Sequence, residues 1–400
     1  MAAVLSSGLL VGVAQASNCE VTSVGFIPLN DLGAGLYLGQ FEGGLYGNGQ
    51  NHPPARQAAE GVARARSIEP LDTNGQPDPN GKYVLLSIGM SNTTQEFCSR
   101  GSLPPCDPWT FMGQAAVDPN VNHTTLAIIN GARGGQAAED WESPASPNYN
   151  RILTDHLIPA GLSEAQVQVA WVKVANRAPT VGLPNANADA FELMTRMGNI
   201  ARTLRIRYPN LKLALFSSRI YAGYASTTLN PEPYAYESAF AVQMLIKAQI
   251  MQMATGVVDP RAGDLNYDTA APWIGWAAYL WADGLTPRSD GLIWQCIDLE
   301  NDGTHPSTSG EEKVGRLLLR FMKSAPWSVA WFRADGGGYP PADLNGDCVV
   351  DLTDLALLLN NFGASGAGEI GDVNEDGAVD LTDLAQLLAT FDDTCPSSAP

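Results

Sequence analysis

The sequence predicts a doubly wound parallel sheet in an α/β/α sandwich, followed by a small all-helical module. Three observations carry that expectation. Between residues 80 and 325, runs that read as buried strands alternate with stretches of helical periodicity. A Gly/Pro-rich stretch, Gly336-Gly-Gly-Tyr-Pro-Pro341, then interrupts the chain. Beyond it the composition turns acidic and a short pattern occurs twice.

In chain order, Met1 to Ala16 is apolar and closes on Ala14-Gln-Ala16, a small-x-small cleavage pattern. Residues 1–16 are therefore expected to be a secretory signal peptide, although no basic n-region precedes them. Residues 17–79 are expected to pack, as an N-terminal segment, on the domain that follows. Tyr83-Val-Leu-Leu-Ser-Ile88 is the first buried strand and feeds Gly89-Met-Ser91-Asn92. Thr124–Ile129 is the second, ending in Asn130-Gly-Ala-Arg-Gly134-Gly135-Gln136; Val167–Val174 is the third, followed by Ala175-Asn176. Ala186 to Tyr208 has helical spacing, with Phe191, Leu193, Met194, Met197, Ile200 and Leu204 on one side. Leu211–Phe216 is a fourth strand, and Glu237–Met253 and Ser309–Met322 read as helices. Residues 219–300 are expected to be a long insert carrying Tyr221, Tyr224, Tyr234, Tyr236, Trp273, Trp276, Trp281 and Trp294. Most of these aromatics are expected to pack the insert, with Tyr221, Arg219 and Trp294 as candidates for substrate contact. After the first 16 residues no segment approaches the roughly 20 apolar residues of a membrane span.

The chemistry begins with histidine. Only four occur, and one lies in Asp302-Gly-Thr-His305-Pro. An imidazole can take a proton from a serine hydroxyl, and a carboxylate can hold that imidazole in the required tautomer. Ser91 stands in a small-residue turn at a strand end, where a hydroxyl is exposed at the carboxyl edge of a parallel sheet. Gly134-Gly135 and Asn176 follow the next two strands; bare glycine N–H groups and an Asn amide can donate to a developing oxyanion. Ser217 and Ser218 also sit at a strand end, but the spacing to the other blocks favours Ser91.

These four segments resemble the SGNH (GDSL-like) hydrolase superfamily over roughly residues 80–325. The resemblance implies a flavodoxin-like sheet, with Ser91 as nucleophile, Gly135 and Asn176 as oxyanion donors, His305 as base and Asp302 as its orienter. Gly134 competes with Gly135, and Asn130 with Asn176. The serine block reads Gly-Met-Ser-Asn rather than Gly-Asp-Ser, and the third block lacks the Gly and Asp that usually bracket its Asn.

Six cysteines fit an oxidising compartment. Proximity suggests Cys98 with Cys106, Cys348 with Cys395 and Cys19 with Cys296, among about fifteen pairings. No CxxC pair suggests a metal. Asn92-Thr-Thr and Asn122-His-Thr match the glycosylation sequon. A glycan on Asn92 would block Ser91, so either these sequons are unused or the source is bacterial, the simpler reading.

Net charge is −19, and 12 of the 42 acidic residues lie beyond residue 342 with no Lys or Arg among them. No basic stripe supports nucleic-acid binding. Asp343-Leu-Asn345-Gly-Asp347-Cys-Val349-Val-Asp351-Leu-Thr-Asp354 recurs as Asp372-Val-Asn374-Glu-Asp376-Gly-Ala378-Val-Asp380-Leu-Thr-Asp383. Oxygen-bearing side chains stand at positions 1, 3, 5, 9 and 12, and Val349 and Ala378 offer backbone carbonyls at position 7: the calcium-loop spacing, met twice. Each loop runs into an apolar helix pattern without an incoming helix. This loop–helix repeat resembles a type I dockerin module, which implies two Ca2+ ions and a cohesin-like partner, met through Leu352-Thr353 and Leu381-Thr382. Cys348 stands where the sixth loop position normally holds Gly.

The sequence thus predicts a hydrolase domain at 80–334, a linker at 335–342 separating two cores, and a dockerin-like module at 343–395. The expected activity is a secreted serine esterase acting on a carbohydrate ester, without a catalytic cofactor. A lipase or small-ester hydrolase and a non-catalytic surface-attached binding protein are the alternatives.

Overall fold

A computed structural model describes residues 16–395 apart from 102, 339, 367, 368 and 375. All but the last residue of the expected signal peptide lies outside the described residues. In chain order the elements are β1 (Leu36–Tyr37), β2 (Phe41–Glu42), α1 (Ala55–Arg66), β3 (Tyr83–Gly89), α2 (Ser91–Phe97), α3 (Phe111–Val117), β4 (Leu126–Asn130), α4 (Pro147–Arg151) and β5 (Val167–Lys173). Then come α5 (Asp189–Arg207), β6 (Leu213–Phe216), α6 (Tyr234–Thr255), β7 (Trp273–Trp276), α7 (Thr308–Ser324), α8 (Pro326–Phe332), α9 (Leu352–Asn360) and α10 (Leu381–Ala389).

Five strands form one parallel sheet in the order β4-β3-β5-β6-β7. The chain enters at β3, steps outward to β4, then crosses back to β5 on the other side. Connections leaving β3 and β5 therefore diverge, and a crevice opens at their carboxyl ends, where open α/β sheets bind ligands. Side chains alternate between two cores. Val84, Leu86, Val172 and Phe216 meet Leu193, Met197 and Leu245 of α5 and α6. Leu85, Trp171, Leu215 and Trp273 meet Phe97, Phe111, Leu318 and Trp327 of α2, α3, α7 and α8. Both faces are buried, which is why the strands read as apolar runs without a polar side. The sheet and its two helical layers match the expected fold class.

β7 corrects the expected insert: part of residues 219–300 is a fifth strand. Its signal was weak because it is four residues long and half tryptophan. Tertiary contacts hold it instead. Trp273 donates from Nε1 to the Gln57 carbonyl (3.0 Å), and its ring lies where a side chain at Gly61 of α1 would stand. Gln249 of α6 accepts from Ile274 N (2.7 Å) and donates to Pro272 O (2.9 Å).

Disulfides join Cys19–Cys296, Cys98–Cys106 and Cys348–Cys395, the pairings expected. In the acidic module, Leu344, Val350, Leu358, Val373, Val379 and Leu387 form a core that also takes in Ala59 of α1. Arg66 of α1 donates to the carbonyls of Pro340, Pro341 and Asp343. The stretch between the two cores is thus held against α1, and the module's core is shared with that helix rather than cut off from it.

Candidate functional site

The strand β3 ends at Gly89, whose φ of +156° and closeness to the Lys173 carbonyl and Thr93 Oγ1 leave no room for a Cβ. The chain then turns directly into α2, with Ser91 as its first residue. The first N–H groups of a helix have no acceptor within it, so the Ser91 amide is a donor at the crevice. On the far side of the sheet's end, Asp302-Gly303 turns toward His305. Gly303 takes φ +63° with the Tyr224 carbonyl packed where a Cβ would lie.

These segments bring Ser91 Oγ to 2.8 Å from His305 Nε2, and His305 Nδ1 to 2.6 Å from Asp302 Oδ2. Asp302 accepts at Nδ1, so that nitrogen carries the proton and Nε2 is left to accept from the serine hydroxyl. Asp302 Oδ1 also accepts from the backbone N–H of Thr304 (2.9 Å) and His305 (3.0 Å). Partial burial raises the Asp302 pKa, but the hydrogen bonds from His305 and Thr304 outweigh it and bring it down to about 2. Neither residue is sealed off: the side chains of His305 and Asp302 are 23% and 32% exposed.

Neighbouring residues fix this arrangement. Asn92 donates to the Thr304 carbonyl (3.0 Å), Ser226 N to the Asp302 carbonyl (3.0 Å), and Thr227 Oγ1 meets Thr304 Oγ1 (2.7 Å). Asn92 is buried and its amide engaged, and Asn122 donates to Tyr83 Oη and Thr125 Oγ1. Both sequon amides are thus hydrogen-bond donors inside the fold.

The expected oxyanion donors fare differently. Gly134 passes over the nucleophile: a Cβ on it would lie 3.8 Å from Ser91 Cβ. Gly135 turns at φ +78° with nothing within 4 Å of that position, and its carbonyl accepts from Arg177. Asn176 makes no hydrogen bond to Ser91 among the described residues. Its amide donates to the Asp189 carbonyl (2.9 Å) at the start of α5, and its Oδ1 accepts from Arg196 (3.2 Å). These two bonds hold the Asn176 side chain against α5. Asn130 lies beneath the turn, accepting from Ser87 and donating to Thr94. Ser217 and Ser218 are buried, and Ser217 donates to the Ala278 carbonyl. Tyr221, Arg219 and Trp294, expected as candidates for substrate contact, are all buried; Tyr221 Oη donates to Val21 O and Trp294 Nε1 to Leu280 O. Sequence reasoning missed Asn92 as a brace, because it read that residue only as a sequon.

In the acidic module the two loops are near copies. Asp351 and Asp380 cap α9 and α10, accepting from Thr353 N and Thr382 N, while Asp354 and Asp383 accept from the N–H groups of the cap residues. Asp354 and Asp383 further receive two backbone N–H groups each from the loop start. Asp343 accepts from the N–H groups of Gly346, Asp347 and Cys348. Asp343 and Asp354 are fully buried with no basic residue in the module. Burial and the facing Asp354 carboxylate raise the Asp343 pKa to about 6. Two carboxylates buried together call for a cation, so the chemistry of Asp343, Asn345, Asp347, Val349 O, Asp351 and Asp354, and of the equivalent set in loop two, suits calcium. Cys348 takes φ +70°, the conformation that Gly377 adopts in the second loop, and the bond to Cys395 holds it there.

Residues 341–391 match the family model of the dockerin type I domain. No curated protein matches the chain. Among solved structures the chain is similar to a salicylyl-acyltransferase from a tetracycline biosynthetic pathway, at 15% identity and a TM-score of 0.31, over 62% of this chain and just 56% of that one. It is similar to an extracellular lipase from Streptomyces rimosus, at 12% identity and TM-score 0.30, over 61% and 99% of the two chains. A carbohydrate esterase family 2 enzyme with a carbohydrate-binding domain, from Corynascus thermopiles, is similar at 14% identity and TM-score 0.33, over 62% and 68%.

Proposed function

We propose that the chain is an extracellular serine ester hydrolase that removes acyl groups, acetyl foremost, from carbohydrate, and that its dockerin module attaches it to a cohesin-like partner when loaded with two calcium ions. The observation that carries the hydrolase reading is the continuous Ser91–His305–Asp302 hydrogen-bond relay, assembled from two segments more than 200 residues apart.

In the first step Ser91 Oγ attacks the ester carbonyl while its proton passes to His305 Nε2; Asp302 stays anionic and stabilises the imidazolium. The carbonyl oxygen, now negative, faces the Ser91 N–H and the N–H groups of the Gly134-Gly135 loop. His305 returns the proton to the departing alcohol as the C–O bond breaks. A water attacks the acyl-serine by the same route in reverse, releasing the acid and restoring the serine.

Two features support a carbohydrate ester over a long-chain lipid. The relay is open to solvent, as an acyl group displayed on a polymer requires, and an apolar cavity of about 480 Å³ lies away from it, lined by Phe191, Met194, Met244 and Met251 of α5 and α6. The dockerin module suits an enzyme kept beside others on a solid polysaccharide, and three disulfides suit an oxidising exterior. Release of acetate from acetylated xylan, and of chromophore from an acetyl ester, tests the reading. Ser91→Ala must abolish both.

A further inference from the structure

Arg219 leaves the carboxyl end of β6 and is buried, yet its Nε and Nη2 have no hydrogen-bond partner among the described residues. A guanidinium cannot shed its proton to escape burial, and an unpaired buried charge is costly, so a fold that retains one needs a reason. Its surroundings supply a candidate. Arg219 lies within Coulombic reach of three carboxylates, Glu96, Glu232 and Asp302, and forms an ion pair with none of them. Glu96 of α2 is already matched by Lys173 of β5 in a fully buried pair. Glu232 is held by Ala222 N (3.0 Å), Tyr236 N (2.9 Å) and Trp281 Nε1 (2.8 Å). The segment that begins at Arg219 also carries Tyr224 and Ser226, which pack on Gly303 and donate to Asp302 O.

We infer that Arg219 is a positioning residue of the catalytic relay, whose buried, unpaired charge opposes protonation of His305. The inference rests on the reading of Ser91, His305 and Asp302 given above. The charges facing the relay are Glu96 with Lys173, Glu232, Arg219, and, along the same turn, Glu300 with Arg100. With both ion pairs self-compensated, Arg219 is the positive charge set against Glu232 and Asp302. Removing it leaves excess negative charge beneath the imidazole, which favours the imidazolium. The enzyme then loses its base at a higher pH.

The test is the acidic limb of kcat/KM against pH, measured with a chromogenic acetyl ester. Arg219→Met is expected to move the limb upward by on the order of one pH unit. Arg219→Lys, which restores the charge, should keep it near the wild-type position. Glu232→Gln removes a negative charge from the same cluster and should move the limb the other way. A purely structural Arg219 would produce no pair of shifts of opposite sign. A folded Arg219→Met enzyme with an unmoved limb overturns the inference, and so does a Glu232→Gln limb that stays or rises. Should Arg219→Met not fold, the Glu232→Gln result decides alone. If no serine-dependent hydrolysis is found at all, the hydrolase reading fails instead; the imidazole titration of His305, followed by NMR in wild type and variants, still reads the shifts.

Discussion

The Asn92 side chain, one residue after the candidate nucleophile, donates at 3.0 Å to the carbonyl of Thr304, one residue before the candidate base. This buried bond joins the two halves of the relay directly, so the Ser91–His305 distance does not depend on distant packing alone. Asn92→Ala would strand a buried carbonyl, at a cost of about 1–3 kcal/mol in stability. It is expected to lower kcat by roughly 10–100-fold with KM little changed, because a misplaced base harms the step and not the binding. Steady-state kinetics beside a thermal melt check both halves; equal losses in kcat and in binding would refute the bracing role.

Ser91→Ala and His305→Ala should each lower kcat by about 10⁴–10⁶-fold, and the double variant hardly further, because the pair acts as a unit. Asp302→Asn should cost up to about 10⁴-fold by offering Nδ1 the wrong partner. Asn176→Ala, by contrast, should reduce stability through its lost bonds to Asp189 and Arg196 and leave the oxyanion contribution in place. A loss in the Asn176 variant as large as that of Ser91→Ala would restore it to the oxyanion site.

The pH dependence has a defined sign. A carboxyl lowered to about 2 stays ionised across the working range, so Asp302 does not titrate there. Activity lost on acidification then reports one proton taken up by His305, and kcat/KM should fall about tenfold per pH unit below the limb. A twofold steeper slope would reveal a second essential group. The stability that Asp302 adds is present above the ordinary carboxylate pKa and fades only as pH falls toward 2.

Calcium should bind at about two ions per chain, and chelation should unfold residues 343–395, because four acidic residues in the first loop and five in the second then repel at close range. The 80–334 body is expected to stay folded. Ala59 lies in the module's core and Arg66 grips the Asp343 carbonyl, so its melting temperature should nonetheless drop by a few degrees on chelation. Arg66→Ala should reduce that drop. Calorimetry with and without chelator decides it, and one calcium-insensitive transition would sink both the ion assignment and the division.

Cys348 adopts the left-handed conformation that costs a side-chain-bearing residue about 1–2 kcal/mol. Replacing both Cys348 and Cys395 with Ala should weaken calcium binding at the first loop. Cys348→Gly with Cys395→Ala should recover about fivefold or more of that loss, since glycine needs no clamp at φ +70°. Calorimetric titration of the two variants makes the comparison.

The sequence by itself determined what short-range chemistry determines. Asp302 and His305 sit three residues apart in a turn whose own N–H groups bind the carboxylate, so their pairing is written locally. The calcium loops are local in the same sense, since Asp351 caps the helix it precedes and Asp354, in that helix's first turn, accepts from the Asp351 N–H. Four of the five strands of the parallel sheet were legible because burial on both faces leaves a largely apolar run. Tertiary structure alone decided the rest, for these features depend on partners far along the chain. Asn176 follows the right strand, but Asp189 and Arg196 claim its side chain. Gly134 and Gly135 are indistinguishable in sequence until the loop's path over Ser91 separates them. β7 exists because Gln249, Gln57 and Gly61 receive it. Arg219 reads as a candidate for substrate contact until the fold closes over it, and no local pattern encodes which carboxylates it will face.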